Sequence, residues 1–111
     1  MVRVRTSGND NAAMANATVS THVLDTAFGK PRPGIRVALF QGEHLVADGE
    51  TDADGRIRSL GMDLAPGDYR LVFTLAGGFF HEIALVIRLE SGHYHVPLLV
   101  SPFGATTYRG S

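Results

Sequence analysis

Short runs of alternating apolar and polar residues, closed by Gly, Pro or Asp, recur through this chain from Val19 to Val100. In such runs successive side chains point to opposite sides, so one face can be buried while the other meets solvent. Ile35, Val37 and Leu39 alternate with Arg36, Ala38 and Phe40. Tyr69, Leu71, Phe73 and Leu75 alternate with Arg70, Val72 and Thr74, and Ile83, Leu85, Ile87 and Leu89 line one face of a further run. Residues 19–25 (VSTHVLD) and 44–48 supply two more strands, and HYHVPLLV (93–100) reads as the last. The breaks are Gly29 to Gly34 with Pro31 and Pro33, the Asp-Gly turn of TDADG (51–55), Pro66-Gly67, Gly77-Gly78 and Ser91-Gly92. No window of ~11 residues carries a helical period. The pattern predicts an all-β sandwich with antiparallel pairing.

A length of 111 residues bounds this to one domain. The chain is 44% hydrophobic and 19% charged, slightly apolar for a soluble domain, which favours association. A net charge of −1 without a basic run argues against nucleic acid or an anionic membrane as partner. The absence of cysteine excludes disulfides and thiolate chemistry. No stretch approaches the ~18–20 apolar residues of a membrane span. Arg3 and Arg5 precede no continuous apolar segment, so residues 1–17, rich in Gly, Asn, Asp and Ala, read as a flexible lead. Residues 18–111 form the domain, and the expected location is the cytoplasm.

Chemistry-bearing side chains collect in HYHVPLLV. Alternation sends Tyr94, Val96, Leu98 and Val100 to the core and His93, His95, Pro97 and Leu99 to the other face. The two imidazoles then stand ~6–7 Å apart along the strand. Three readings compete: partly exposed structural histidines, two ligands of a zinc site, or an acid–base pair, since an imidazole titrates near ~6.5. His22 lies on the face opposite Val19, Thr21 and Val23, where a lone histidine is more often structural. Arg56 directly follows the Asp-Gly turn, where an arginine is usually plain surface. His44 and His81 have no partner pattern and read as surface. The last residues, Tyr108-Arg109-Gly110-Ser111, combine a ring, a cation, a flexible residue and a hydroxyl, a set suited to anchoring in a pocket.

Together these segments resemble the transthyretin-like family, and within it the 5-hydroxyisourate hydrolases. STHVLDTAFGKPRPGIRVAL (20–39) is similar to the family's opening signature, TDADGRI (51–57) to its middle one and HYHVPLLVSPFGATTYRGS (93–111) to its closing one. The terminal YRGS after a YHVPLL strand separates the hydrolases from the hormone-carrying transthyretins. The resemblance implies a transthyretin-like β-sandwich in a homotetramer, a dimer of dimers whose interface forms the catalytic channel. It implies His22, Arg56, His95 and Ser111 as catalytic residues and Tyr108, Arg109 and Gly110 as substrate-binding ones. The chain departs from the family where YRLVFTLAGGFFHE (69–82) joins two strands almost directly, so a short family helix is missing. Two further departures are Phe79-Phe80-His81-Glu82 in place of FFPE, and Ala105 in place of an aromatic residue.

The reaction so implied is hydrolysis of 5-hydroxyisourate to 2-oxo-4-hydroxy-4-carboxy-5-ureidoimidazoline in urate breakdown, without a cofactor. One of His22 and His95 activates water, the sequence not saying which. Arg56 steadies the oxyanion, Ser111 positions substrate or water, and Tyr108 and Arg109 anchor the tail. The alternatives are a non-catalytic transthyretin-like binder, a zinc site on His22, His93 and His95, and a purely structural sandwich module.

Overall fold

The structure, a computed structural model, describes residues 16–110. Residues 1–15 of the expected lead, and Ser111, lie outside the described residues. Ten strands follow one another: β1 (Ala17–Asp25), β2 (Lys30–Pro31), β3 (Arg36–Gln41), β4 (His44–Glu50), β5 (Arg56–Ile57), β6 (Gly67–Thr74), β7 (Glu82–Leu89), β8 (Gly92–His95), β9 (Leu98–Ser101) and β10 (Gly104–Thr107). No helix occurs among the described residues, and a bend across Gly77-Gly78 joins β6 to β7.

One sheet has the order β4-β3-β6-β7 and is antiparallel throughout. Its inner face is the alternating set read from sequence: Val37, Leu39, Tyr69, Leu71 and Phe73 are each at most 1% exposed. Removing such side chains from water stabilises the fold by roughly 1.5–3 kcal/mol apiece. The edge strand β7 keeps Ile83, Leu85 and Ile87 partly against the core, while Val86 on its outer face is exposed.

The other sheet is organised around β1. The order β10-β9-β1-β2 is completed by β5 and β8, which also pair with β1. Here pairing departs from the antiparallel expectation: β1 runs parallel to both β8 and β9. Parallel neighbours need a long crossover, and the whole of the other sheet intervenes in sequence between them. Paired on both edges, β1 is longer than its alternation suggests and begins at Ala17, itself buried.

HYHVPLLV is two strands rather than one. Pro97 has no N–H to give to a ladder, and β8 ends at His95 before β9 begins at Leu98. The carbonyls this break strands are taken up by hydroxyls: Thr21 Oγ1 donates to Val96 O at 2.6 Å and Thr107 Oγ1 to Pro97 O at 2.8 Å. The core faces of Val96, Leu98 and Val100 survive the break, all three being buried with Val19, Val23, Leu60 and Leu64.

Candidate active site

The outward face of β1 carries Thr18, Ser20 and His22, two residues apart and therefore on one side. In-register parallel pairing sets His93 beside Thr18 and His95 beside Ser20. On the opposite edge, antiparallel pairing sets Arg56 of β5 beside His22. Three strands thus bring His22, Arg56 and His95 to one stretch of sheet. Ser20, Thr21, Arg56, Ile57, Arg58, His93 and His95 line an open pocket there of about 190 Å³.

Arg56 is placed by its turn. Asp52 Oδ1 accepts the backbone N–H of Asp54 at 2.9 Å and of Arg56 at 3.0 Å, and Gly55 N–H closes on Asp52 O at 2.8 Å. The bond from the Arg56 amide, helped by that from Asp54 and by the nearby Arg58 and Arg56 charges, holds the Asp52 carboxyl below its ordinary value against the opposing effect of desolvation. Gly55 sits at φ 76°, and its carbonyl receives Val23 N–H at 2.7 Å. A Cβ at this position would lie 2.5 Å from Val23 O, so only glycine lets the turn dock on β1. The turn therefore sends the chain across to the second sheet, with Arg56 opposite His22. Among the described residues the Arg56 side chain makes no hydrogen bond or ion pair, whereas Arg36 and Arg88 are spent on carboxylates. Its donors remain available to an oxygen-rich ligand.

The same turn orients His22. Its Nε2 lies 2.9 Å from Asp54 O, and a carbonyl only accepts, so Nε2 carries the proton and Nδ1 has the lone pair. His95 is held by the other nitrogen: its Nδ1 lies 2.7 Å from Ser20 Oγ, and Nε2 has no partner among the described residues. Burial, reinforced by the Arg56 charge and by His22 and His93, pushes the His95 pKa below the ordinary imidazole value. A neutral His95 with a free ring nitrogen is equipped to take a proton from water.

The tail reaches this site from behind. Gly110 N–H donates to His95 O at 2.7 Å, and a Cβ on Gly110 would fall 2.9 Å from His95 Cδ2. Arg109 stacks its guanidinium 4.4 Å from the centroid of the Tyr94 ring. Tyr108 and Arg109 line a separate groove with Leu85, Val86, Ile87 and Arg88 of β7. Within one chain, then, Gly110 supports His95, while Tyr108 and Arg109 do not line the histidine pocket. Ser111 lies outside the described residues.

The three imidazoles do not form a metal centre. Both nitrogens of His93 are taken, Nδ1 by Thr18 Oγ1 at 2.6 Å and Nε2 by Ser20 Oγ at 2.8 Å. Among the described residues no group of three His, Cys, Asp or Glu is arranged to hold an ion.

The HIUase/Transthyretin family profile matches residues 19–110, a span that takes in His22, Arg56, His93, His95 and Gly110. The chain belongs to this family. It is 42% identical over 115 residues to the 5-hydroxyisourate hydrolase of Salmonella dublin, with 89% of this chain and 85% of that protein covered. To the 5-hydroxyisourate hydrolase of Caulobacter vibrioides it is 43% identical over 112 residues, covering 84% of this chain and 97% of the other. The solved Klebsiella pneumoniae 5-hydroxyisourate hydrolase superposes with a TM-score of 0.81 at 32% identity, covering 86% of this chain and 99% of that one. Transthyretin from Sparus aurata superposes at 0.75 with 26% identity, over 83% and 95% of the two chains.

Sequence reading missed Thr18, Ser20 and Arg58. Alternation alone places Thr18 and Ser20 on the His22 face, but nothing in the chain announces that β8 will lie beside them. Arg58 follows the family's middle motif and carries no local signal.

Proposed function

We propose that this protein hydrolyses 5-hydroxyisourate to 2-oxo-4-hydroxy-4-carboxy-5-ureidoimidazoline. The observation that carries the reading is the convergence of His22, Arg56 and His95 on one stretch of sheet, where Arg56 and His95 line an open pocket, each of the three with hydrogen-bonding capacity left for a ligand, in a chain 42% identical to a 5-hydroxyisourate hydrolase.

His95 Nε2 accepts a proton from water as the oxygen attacks a ring carbonyl. Arg56 donates to the oxygen that becomes negative, a contribution largest where charge develops in the transition state. The tetrahedral adduct collapses, the C–N bond breaks, and the ring nitrogen leaves with a proton, opening the six-membered ring to a carboxylate. His22, with Nε2 tied to Asp54 O, presents Nδ1 to orient the water or a substrate N–H. We assign the base role to His95, whose Nε2 is free of partners among the described residues and whose surroundings favour the neutral ring.

Gly110 backs His95 through its N–H, Arg109 stacks on the Tyr94 ring, and the role assigned to Ser111 is to position substrate or water. A homotetramer completes the reading. The pocket is open in one chain, and the exposed Val86 and Tyr108 offer apolar surface that a second copy would cover.

The test is ultraviolet decay of freshly generated 5-hydroxyisourate. The protein should accelerate it well above the spontaneous rate without added metal; decay at the spontaneous rate would leave a non-catalytic binder.

A further inference from the structure

Three side chains outside the set of His22, Arg56 and His95 extend from His95 as an unbroken hydrogen-bonded row: Ser20 Oγ, His93 and Thr18 Oγ1. Its three links measure 2.6 Å from Thr18 Oγ1 to His93 Nδ1, 2.8 Å from His93 Nε2 to Ser20 Oγ, and 2.7 Å from Ser20 Oγ to His95 Nδ1. Ser20 is buried and His93, which also lines the open pocket, is exposed, so the row leads from His95 through a buried hydroxyl to a solvent-accessible ring.

Proton counting makes this row directional. A serine hydroxyl has one proton, and Ser20 faces two imidazole nitrogens, so it donates to one and must accept from the other. Each neutral imidazole likewise has one N–H and one lone pair. Only two arrangements satisfy every link. In one, His95 Nδ1–H donates to Ser20, Ser20 to His93 Nε2, and His93 Nδ1–H to Thr18; His95 Nε2 is then bare and can act as base. In the other, every bond is reversed and His95 Nε2 carries the proton. The guanidinium of Arg56 on the pocket side favours the first, since a lone pair is the better neighbour for a cation.

We propose that Ser20 is a positioning residue that sets the His95 tautomer, and that Ser20 and His93 together keep His95 neutral by exchanging a proton with solvent as His95 takes one from water and later gives it to the leaving nitrogen. The inference rests on the hydrolase reading, because water attack on the ring carbonyl loads His95 with a proton that the leaving nitrogen later takes. The steps balance. His95 Nε2 gains a proton from water, and the Nδ1 proton moves to Ser20 Oγ as the Ser20 proton moves to His93 Nε2. His93 then loses its Nδ1 proton to bulk water, leaving the row in its reversed, neutral arrangement. Return to the starting arrangement moves the same protons back, with His95 Nε2 giving its proton to the departing nitrogen and His93 Nδ1 regaining one from solvent; the net proton of the hydrolysis is the one the product carboxylic acid gives up to water.

The experiment combines kinetics with ring-nitrogen NMR on the full chain. Ser20→Ala should lower kcat by ~10- to 100-fold with little change in KM, the usual scale for losing a group that orients an imidazole. Ser20→Thr, which keeps the hydroxyl, should recover most of it. His93→Ala should be slow in a dilute non-nucleophilic buffer and be restored as imidazole is added, because the exposed site admits an external base. In the ¹⁵N spectrum His95 should carry its proton on Nδ1 in the wild type and shift to Nε2–H in Ser20→Ala. Unchanged kcat in Ser20→Ala, an unchanged tautomer, or no imidazole rescue of His93→Ala would overturn the proposal. The tautomer is read without substrate. A wild type that fails to accelerate 5-hydroxyisourate decay but shows the expected shift would therefore sink the hydrolase reading and the relay's use, while the positioning role of Ser20 stands.

Discussion

The two sheets are built in opposite ways. In the β4-β3-β6-β7 sheet, β6 and β7 pair over eight residues without a break. Around β1, no partner matches more than four residues before the chain turns away. The long ladder buries a regular apolar face and leaves few polar groups to dispose of. The short ladders end repeatedly, and each end presents carbonyls, hydroxyls and side chains that must find partners. The site occupies that second region. Interruptions of β-pairing bring Arg56, His22 and His95 to one stretch of sheet, while the regular sheet supplies the rigid backing.

Four measurements would break or sharpen this contrast. The largest effect is expected at the site: Arg56→Ala and His95→Ala should each lower kcat/KM by ~10²–10⁴-fold with thermal stability near wild type. Activity close to wild type in either would remove that side chain from the chemistry. The opposite profile belongs to the regular sheet. Leu71, fully buried in β6, should cost ~2–5 kcal/mol of stability as Leu71→Ala in urea unfolding, with turnover per folded molecule preserved. If turnover falls in proportion instead, the two sheets are not separable in function.

Gly55→Ala should show both penalties at once. A positive φ and a Cβ lodged against Val23 O predict a loss on the order of 1–3 kcal/mol, accompanied by reduced kcat/KM as Arg56 and the Asp54–His22 bond shift. A Gly55→Ala protein with wild-type stability and rate would show that the turn does not place these groups. The smallest effect is that of pH. His95 releases its proton more readily in the folded protein than an ordinary imidazole does. The acid limb of the kcat/KM profile should therefore have its midpoint below ~6.5. Over the same window the unfolded chain binds more protons than the folded one. The His95 contribution to stability is thus fully present above ~6.5 and is lost as pH falls toward the folded-state value. His95→Gln should flatten that dependence; a profile identical to wild type would assign it elsewhere.

Much of the fold was legible because period-two alternation is a local property. Val37, Leu39, Tyr69, Leu71 and Phe73 announce a buried face wherever their strands pair, and all are buried. Arg56 was legible for a related reason, since TDADGR encodes its own turn through Asp52 and Gly55. The break at Val96-Pro97 was less so. Its proline was visible, but the compensating hydroxyls of Thr21 and Thr107 come from distant strands.

What the sequence determined by itself is therefore the strands, their inward faces, the turn that carries Arg56, and the motifs that mark the family. Which strands lie side by side was decided only in three dimensions. The parallel pairing of β1 with β8 joins residues 75 positions apart, placing Ser20 between His93 and His95. No local preference encodes that contact, because it follows from burying both edges of β1 at once. The pairing brings His95 to the stretch of sheet that holds His22 and Arg56, and it gives His95 a hydroxyl to fix its ring.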